Sequence, residues 1–383
     1  MARKSELYRG PLLAGAAGVI AGTIFGFVTA HLLSSVAPAL VSAVPGFNKI
    51  AAIACGLIIC ALVSAAVDRI TRDVPYRTAL GNASMYLVLF AYLLAVVLPM
   101  VWVILTSFKP TQEIYANPIG LPRVLFEPTA ERVAQMKQNY VKAWIGSHFS
   151  SFFFNSVKVT GISLVATLAL SATAAYVLAR FRFRGNRLIF FYFLSGLMIP
   201  VQLVLIPLFF EITNISEWLT RALTPVAHLI GTSQIVVNLH DTHTGLILIY
   251  IALSLPFTIF ILTGFFRTIP DQLREAALID GSSEMRAFWN IMLPLAKPGL
   301  ITVSIFNFIG IWNEYLYALV FISTDSLKTL PLGLASVSIT AQYKSDFGLM
   351  FAGLVIVMIP TLLVYALLQD RLTKGITVGA LKG

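Results

Sequence analysis

Charge is scarce in this chain. Asp, Glu, Lys and Arg together make up 11% of its 383 residues, against 58% hydrophobic residues. A mean hydropathy of +0.84 excludes a water-soluble domain, because apolar surface would far exceed what one core can bury. Cysteine is nearly absent too. Cys55 and Cys60 share one apolar run and point to different faces of a helix, so no bridge between them is expected. No G-x-x-x-x-G-K-S/T loop occurs, so the chain lacks a phosphate cradle of its own and is not expected to hydrolyse ATP. A helical H-E-x-x-H is missing as well. His240-Asp241-Thr242-His243, with His228 upstream, has zinc-binding residue types but in consecutive positions, with no further carboxylate or Cys at ligand spacing. That segment reads as a solvated loop outside the membrane. Neither a metal nor a cofactor is expected.

Apolar runs of membrane-spanning length are abundant. A bilayer's hydrocarbon core needs about twenty apolar residues in a helix. Eight such runs stand out, at 11–33, 48–67, 84–106, 156–178, 188–210, 245–266, 299–322 and 348–369. The reading is an all-α polytopic membrane protein. The first two runs form a separate hairpin within residues 1–80, and six spans follow within 81–383. Arg3, Lys4 and Arg9 precede a first run that is long for a signal-peptide core, which favours a retained anchor over cleavage after Ser35-Val36-Ala37. Ala14, Gly18, Gly22, Gly26 and Ala30 recur every four residues along it. Such a stripe permits close helix approach, against the second helix of the hairpin or against a partner subunit.

A net charge of +10 raises the question of nucleic acid, but its distribution answers a different one. Lys and Arg favour alternate segments: the N-terminus, 68–83, Arg180 with Arg182, Arg184 and Arg187, the 267–298 loop and the C-terminus. Positive charge concentrates on the inner side of membrane proteins, so both termini and the 267–298 loop belong inside. No nucleic-acid partner is expected.

That last loop is the most structured polar stretch of the chain. Residues 267–299 read RTIPDQLREAALIDGSSEMRAFWNIMLPLAKPG, far more than a turn between two spans needs. Pro270 and Asp271 suit the start of a helix, and Leu273, Ala276 and Ala277 share a face. Gly281 offers a left-handed stop and Ser282 or Ser283 a new N-cap. Pro294 and Pro298 are expected to end the second helix. An amphipathic knob outside the bilayer fits a docking surface for another protein.

Glu275-Ala276-Ala277, Asp280-Gly281, Phe288, Ile291, Leu293-Pro294 and Pro298-Gly299 resemble the EAA loop of bacterial ABC importer permeases. The resemblance extends over about 300 residues. It takes in Thr106-Ser107-Phe108-Lys109, Phe154-Asn155-Ser156, Ala174-Ala175-Tyr176-Val177-Leu178-Ala179-Arg180, Met198-Ile199-Pro200, Ile206-Pro207-Leu208-Phe209, Trp312-Asn313-Glu314 and the ending Gly379-Ala380-Leu381-Lys382-Gly383. Together these look like the MalG-type permeases of oligosaccharide importers, from whose six-span form the N-terminal hairpin departs. The resemblance implies a multi-pass subunit of the bacterial inner membrane that moves a di- or oligosaccharide, an α-glucoside being the favoured class. It implies a second homologous permease, a pair of cytoplasmic ATP-binding subunits, and a periplasmic or lipid-anchored sugar-binding protein. Glu275, Ala276, Ala277, Asp280 and Gly281 would then mark the ATPase-coupling site, with Ala276 and Ala277 as its close-packing face.

Glu314 is the one carboxylate deep in an apolar run, about 22 Å along a helix that starts at Gly299. A buried carboxylate needs a partner. Trp312, Asn313 and Glu314 either line a sugar path or, for Glu314, make a hydrogen bond to the partner permease. Pro200, Pro207 and Pro256 interrupt helical spans in a way compatible with a translocation pathway. Two other classes compete. An ion-coupled secondary transporter would carry more ionisable groups near the midplane than Glu314. A membrane-embedded transferase would need clustered acids, bases or metal ligands at one membrane face.

Overall fold

A computed structural model describes residues 76–229 and 232–380. The predicted N-terminal hairpin therefore lies, up to residue 75, outside the described residues, as do its cysteines, its small-residue stripe, the possible cleavage site and the final Leu381-Lys382-Gly383. Among the described residues there are helices and no strands. In chain order the main helices are α1 (Tyr76–Ser107), α2 (Thr111–Ala116), α3 (Ala130–Val141), α4 (Phe149–Arg180), α5 (Asn186–Ser195), α6 (Val201–Leu229), α7 (His243–Thr268), α8 (Asp271–Ile279), α9 (Glu284–Leu295), α10 (Lys297–Trp312), α11 (Leu316–Phe321), α12 (Leu330–Lys344) and α13 (Phe347–Ala380).

Five of these are long and apolar enough to cross a membrane: Met85–Ser107, Phe149–Arg180, Gln202–Val226, His243–Thr268 and Phe347–Gln369. The pair α9 and α10, bent by 72° at Ala296, makes a sixth if it is one span. Two predicted spans differ from this outcome. The run 188–210 is not one helix: Asn186–Met198 stops, and α6 begins afresh at Val201. Ile199 is extended, at φ −87° and ψ 118°, because the ring of Pro200 disfavours helical backbone in the residue before it. The run 299–322 is likewise split, between Trp312 and Leu316.

The described residues fall into two compact units. The first comprises 76–140 with 345–352. Within it the Thr106-Ser107-Phe108-Lys109 exit of α1 is tied to α3. Asn139 Nδ2 donates to Ser107 O at 3.1 Å and Lys109 O at 2.9 Å, and Ser107 Oγ meets Tyr140 OH at 2.6 Å. The Lys109 side chain is buried and its Nζ donates to Asn117 O at 2.9 Å. Burial pushes its ammonium pKa down, with Glu113 opposing.

The second unit, 141–344 with 353–380, centres on α4 packed against α7. The face of α4 that is buried carries Ser156, Thr160, Ser163, Thr167 and Ser171, small side chains that let two backbones approach closely in lipid. The segment 240–243 is a loop, as predicted, but a partly buried one whose polar groups are paired. Asp241 adopts positive φ (53°), and its Oδ1 accepts from Ser323 N at 2.8 Å and Thr324 N at 2.9 Å. His243 Nε2 lies 3.0 Å from Leu327 O, and His240 Nε2 lies 2.8 Å from Thr213 Oγ1 with its ring stacked on Phe321. A left-handed aspartate lets this short stretch turn its polar groups onto the segment after α11, so the polar residues serve as a clamp. The Thr324 hydroxyl and amide, hydrogen-bonded to Asp241, hold its carboxyl below the ordinary range. Among the described residues no group of His, Cys, Asp and Glu could hold a metal ion.

Candidate functional site

The polar stretch 267–299 contains a helical hairpin, α8 and α9. Its turn is a Schellman motif built on Gly281, whose φ of +83° suits a residue without a Cβ. Ser282 N donates to Ala277 O at 2.9 Å and Gly281 N to Leu278 O at 3.1 Å, satisfying the last carbonyls of α8. Ser283 then caps α9, its Oγ accepting from Arg286 N at 3.3 Å. Here the proline expectation fails. Pro294 does not end the helix, which passes through a wide π turn over Phe288–Met292 and continues to Leu295. Leu293 N bonds Phe288 O, five residues back, immediately before the proline that has no amide hydrogen to offer. Pro298 opens α10 rather than closing α9. Close packing follows at Gly299, where a Cβ would come within 2.5 Å of the Phe265 ring.

The hairpin is fastened to the spans by two polar knots over an aromatic base. Arg180, at the end of α4, donates to Asp271 and to the carbonyl oxygens of Phe266 and Ile269, which terminate α7. Its side chain is only 4% exposed. The second knot is a fork: Arg274 Nη2 and Nε donate to Glu284 Oε1 at 2.7 Å and Oε2 at 3.2 Å, and Tyr176 OH donates to Glu284 Oε2 at 3.3 Å. The Glu284 carboxylate holds the Arg274 guanidinium above its ordinary pKa. Beneath both, Tyr176, Phe266, Phe288, Met292, Ala296 and Val303 belong to one buried cluster shared by α4, α7, α9 and α10. The hairpin thus shares its packing and its hydrogen bonds with the ends of α4 and α7.

Of the predicted site residues, Glu275, Ala276, Asp280 and Gly281 are exposed, and Ala277 is buried. Ala276 and Ala277 thus do not share one packing face. Large apolar side chains that sequence reasoning passed over are exposed instead: Ile279 at 85%, Met285 at 66% and Trp289 at 52%. Their signal is faint, since Ile279 and Trp289 each adjoin an apolar residue that is less exposed, and Met285 is a single apolar residue between charges.

Trp312, Asn313 and Glu314 form a helix break, not a helix interior. Glu314 is half-buried; its Oε1 accepts from Tyr317 N at 2.8 Å, and its Oε2 from Ala318 N at 3.2 Å and from Tyr250 OH at 2.7 Å. Tyr250, Tyr317 and Ala318 thus tie the carboxylate to α7 and α11. The carboxylate caps α11, neutralising the positive N-terminal end of that helix. Trp312 is a core residue, 2% exposed, stacked on Phe308 with ring centroids 5.6 Å apart. Asn313 is exposed; its Nδ2 donates to Ile309 O at 2.9 Å and lies 3.3 Å from Thr361 Oγ1.

Residues 167–378, which carry the hairpin, both knots and the Glu314 break, match the family described as binding-protein-dependent transport system inner membrane component. The chain belongs to this family. As a permease it is a transport subunit and not an enzyme, and its family is one of ABC importers that work in a complex with an ATPase and a substrate-binding protein. The permease is 40% identical to the diacetylchitobiose uptake system permease protein NgcG of Streptomyces coelicolor, over 75% of this chain and 84% of that one. It is 34% identical to the trehalose transport system permease protein SugB of Mycobacterium tuberculosis, over 75% of this chain and 92% of that one. In fold it is similar to a chain in the crystal structure of a bacterial ABC transporter involved in the import of the acidic polysaccharide alginate. The TM-score is 0.62 at 19% identity, over 78% of this chain and 99% of that chain.

Proposed function

We propose that this permease carries a di- or oligosaccharide across the bacterial inner membrane, driven by a pair of ATP-binding subunits that grip the α8–α9 hairpin. One observation carries the reading. A polar hairpin exposes Ile279, Met285 and Trp289 at its surface while Arg180 and Tyr176 lock its base to the spans α4 and α7. Exposed apolar side chains on a charged element supply a docking surface. The knots supply the mechanical link from that surface to the pathway. Glu275, Asp280 and Gly281 lie beside the apolar residues and complete the coupling site; Ala277 supports it from within.

In this reading both termini and the hairpin face the cytoplasm, which agrees with the distribution of Lys and Arg. Residues 1–80 form an added hairpin beside a permease domain at 81–383. A second homologous permease completes the pathway, and a periplasmic or lipid-anchored binding protein delivers the sugar. Asn313 and Glu314, at a break in an apolar span, are the pathway candidates; Trp312 supports them from the core. An α-glucoside is the favoured cargo, consistent with the trehalose system among the relatives. The diacetylchitobiose relative makes an amino-sugar disaccharide the second class to test.

The test is purification of the intact complex, followed by uptake of a labelled sugar panel by cells with and without this subunit. A co-purifying ATPase, and loss of uptake of one disaccharide, are expected. Purification without any ATPase, or uptake that follows an ion gradient instead of ATP, would overturn the reading.

A further inference from the structure

Between the end of α4 and the start of α5 lies an open cavity of about 610 Å³ whose charged lining is entirely cationic. Arg182, Arg187 and Arg267 line it with Asn186, and no carboxylate does. Their neighbour Arg180 is occupied by Asp271, and Arg274 by Glu284. Among the described residues none of these three lining arginines has a carboxylate partner, and Arg267 rests its guanidinium over the Phe190 ring at 5.3 Å. Three permanent positive charges thus line one concavity, and among the described residues no carboxylate balances them.

Two further features specify the anion. α5 begins at this cavity with Gly185 (φ +94°) and no side-chain cap, so its N-terminal amides add positive partial charge without competing for the site. The side chains leading away from the cavity along α5 are apolar and exposed: Leu188 and Tyr192 at 75%, Phe191 at 55%. Arg182 and Arg187 bracket the Phe183–Gly185 turn that follows the apolar span α4, and Arg267 lies in the last turn of the apolar span α7. A charged cup at the level where spans end, continuous with an apolar wall, matches a molecule with an anionic head and apolar chains.

We propose that this cavity is a binding site for a phosphate diester, supplied by the headgroup of an anionic phospholipid. The guanidinium forks of Arg182, Arg187 and Arg267 would hold the phosphate oxygens, and the acyl chains would lie along Leu188, Phe191 and Tyr192. The proposal needs only that α4 and α7 span a membrane. It is independent of the sugar and of the ATPase contact.

The purified complex in nanodiscs of phosphatidylcholine, titrated with phosphatidylglycerol, tests it by native mass spectrometry and by melting temperature. Wild type should retain phosphatidylglycerol and melt higher with it. R182Q/R187Q should bind it roughly thirty-fold more weakly, and R184Q, whose arginine lies outside the cavity, should match wild type. A melting shift with inorganic phosphate that R182Q/R187Q abolishes would keep the site and make free phosphate its source. Equal lipid retention in R182Q/R187Q and wild type would overturn the proposal, as would an equal loss in R184Q. A double variant that sheds ATPase subunits while retaining its lipid would reassign the cavity to a protein contact and overturn it too.

Discussion

The Tyr250 hydroxyl donates to Glu314 Oε2 at 2.7 Å, joining the first half of one apolar span to the break in another. The same carboxylate takes the amides of Tyr317 and Ala318, so one side chain both starts α11 and pins it to α7. Tyr250 is buried and Glu314 half-buried, which makes each of these bonds costly to leave unmade.

The three bonds predict an ordered series. Tyr250→Phe removes one donor and leaves the two amides bound, for about 1 kcal/mol. Glu314→Gln keeps one carbonyl acceptor but turns an amide donor toward a backbone N–H, for about 2 kcal/mol. Glu314→Ala strands all three donors, for roughly 3–4 kcal/mol. Melting temperatures of the detergent-solubilised complex should fall in that order, and Glu314→Gln should assemble yet transport more slowly. Equal losses across the series would mean that capping is not what Glu314 does.

Much of this architecture is readable from composition, and the exceptions have physical causes. Hydropathy reports the length of an apolar run and says nothing of its continuity. Hence 188–210 and 299–322 read as single spans, although Pro200 in the first and the capping carboxylate of Glu314 in the second break the helix. The turn at Gly281 and the cap at Ser283 are local, and local chemistry suffices to find them. Arg180 is visible only as one of several positive charges, because its partners lie 86 to 91 positions away. The clamp at Asp241 is hidden for the same reason, its acceptor contacts lying 82 and 83 positions on.

Arg180 and Asp271 form an unequal pair, and the inequality is testable. The arginine side chain is 4% exposed and closes the carbonyl end of α7, whereas the aspartate is 62% exposed. Removing the buried cation leaves carbonyls without donors, so Arg180→Ala should cost about 3 kcal/mol. Asp271→Asn removes only an exposed charge and should cost less than about 0.5 kcal/mol. Chemical denaturation of the two variants measures the gap. Comparable losses would show that the Arg180–Asp271 contact, and not the capping of α7, fastens the hairpin.

Ile279 ends α8 with 85% of its surface exposed, so its replacement disturbs little inside the chain. Ile279→Asp should leave stability within about 0.5 kcal/mol. If the tip docks in the ATPase, the same change should weaken retention of that subunit about tenfold, measured by quantitative co-purification. Undiminished retention would move the docking surface elsewhere on the hairpin.

Gly281 separates backbone strain from contact. Nothing lies within 4 Å of the place its Cβ would occupy, yet its φ is +83°. Gly281→Ala should therefore cost about 1 kcal/mol through conformation alone, and Gly281→Asn less, since Asn visits the left-handed region more readily. Binding-protein-stimulated ATPase activity and sugar uptake should separate in a bulky variant such as Gly281→Trp, which fills space at the docking face. Stimulated ATPase activity and uptake both unchanged in that variant would leave the hairpin turn without a coupling role.

The Asp241 clamp carries a pH dependence whose sign follows from its hydrogen bonds. Those bonds, chiefly from Thr324, lower the folded-state pKa of the carboxyl below its unfolded value. Such a group contributes stability that is fully present above the unfolded pKa, near 3.9, and is lost as pH falls through the folded one. Asp241→Asn should thus lower the melting temperature by a margin that stays constant from about pH 5 to pH 8 and narrows only in stronger acid. The positive φ of Asp241 does not confuse the comparison, because Asn tolerates that backbone as well as Asp does. A margin that varied between about pH 5 and pH 8 would assign the clamp's electrostatics to another group of the segment, which also holds His240 and His243. Thr324→Val separates the two: it removes the hydroxyl that bonds Asp241 and leaves both imidazoles in place, so it should reproduce part of the Asp241→Asn loss with the same flat profile.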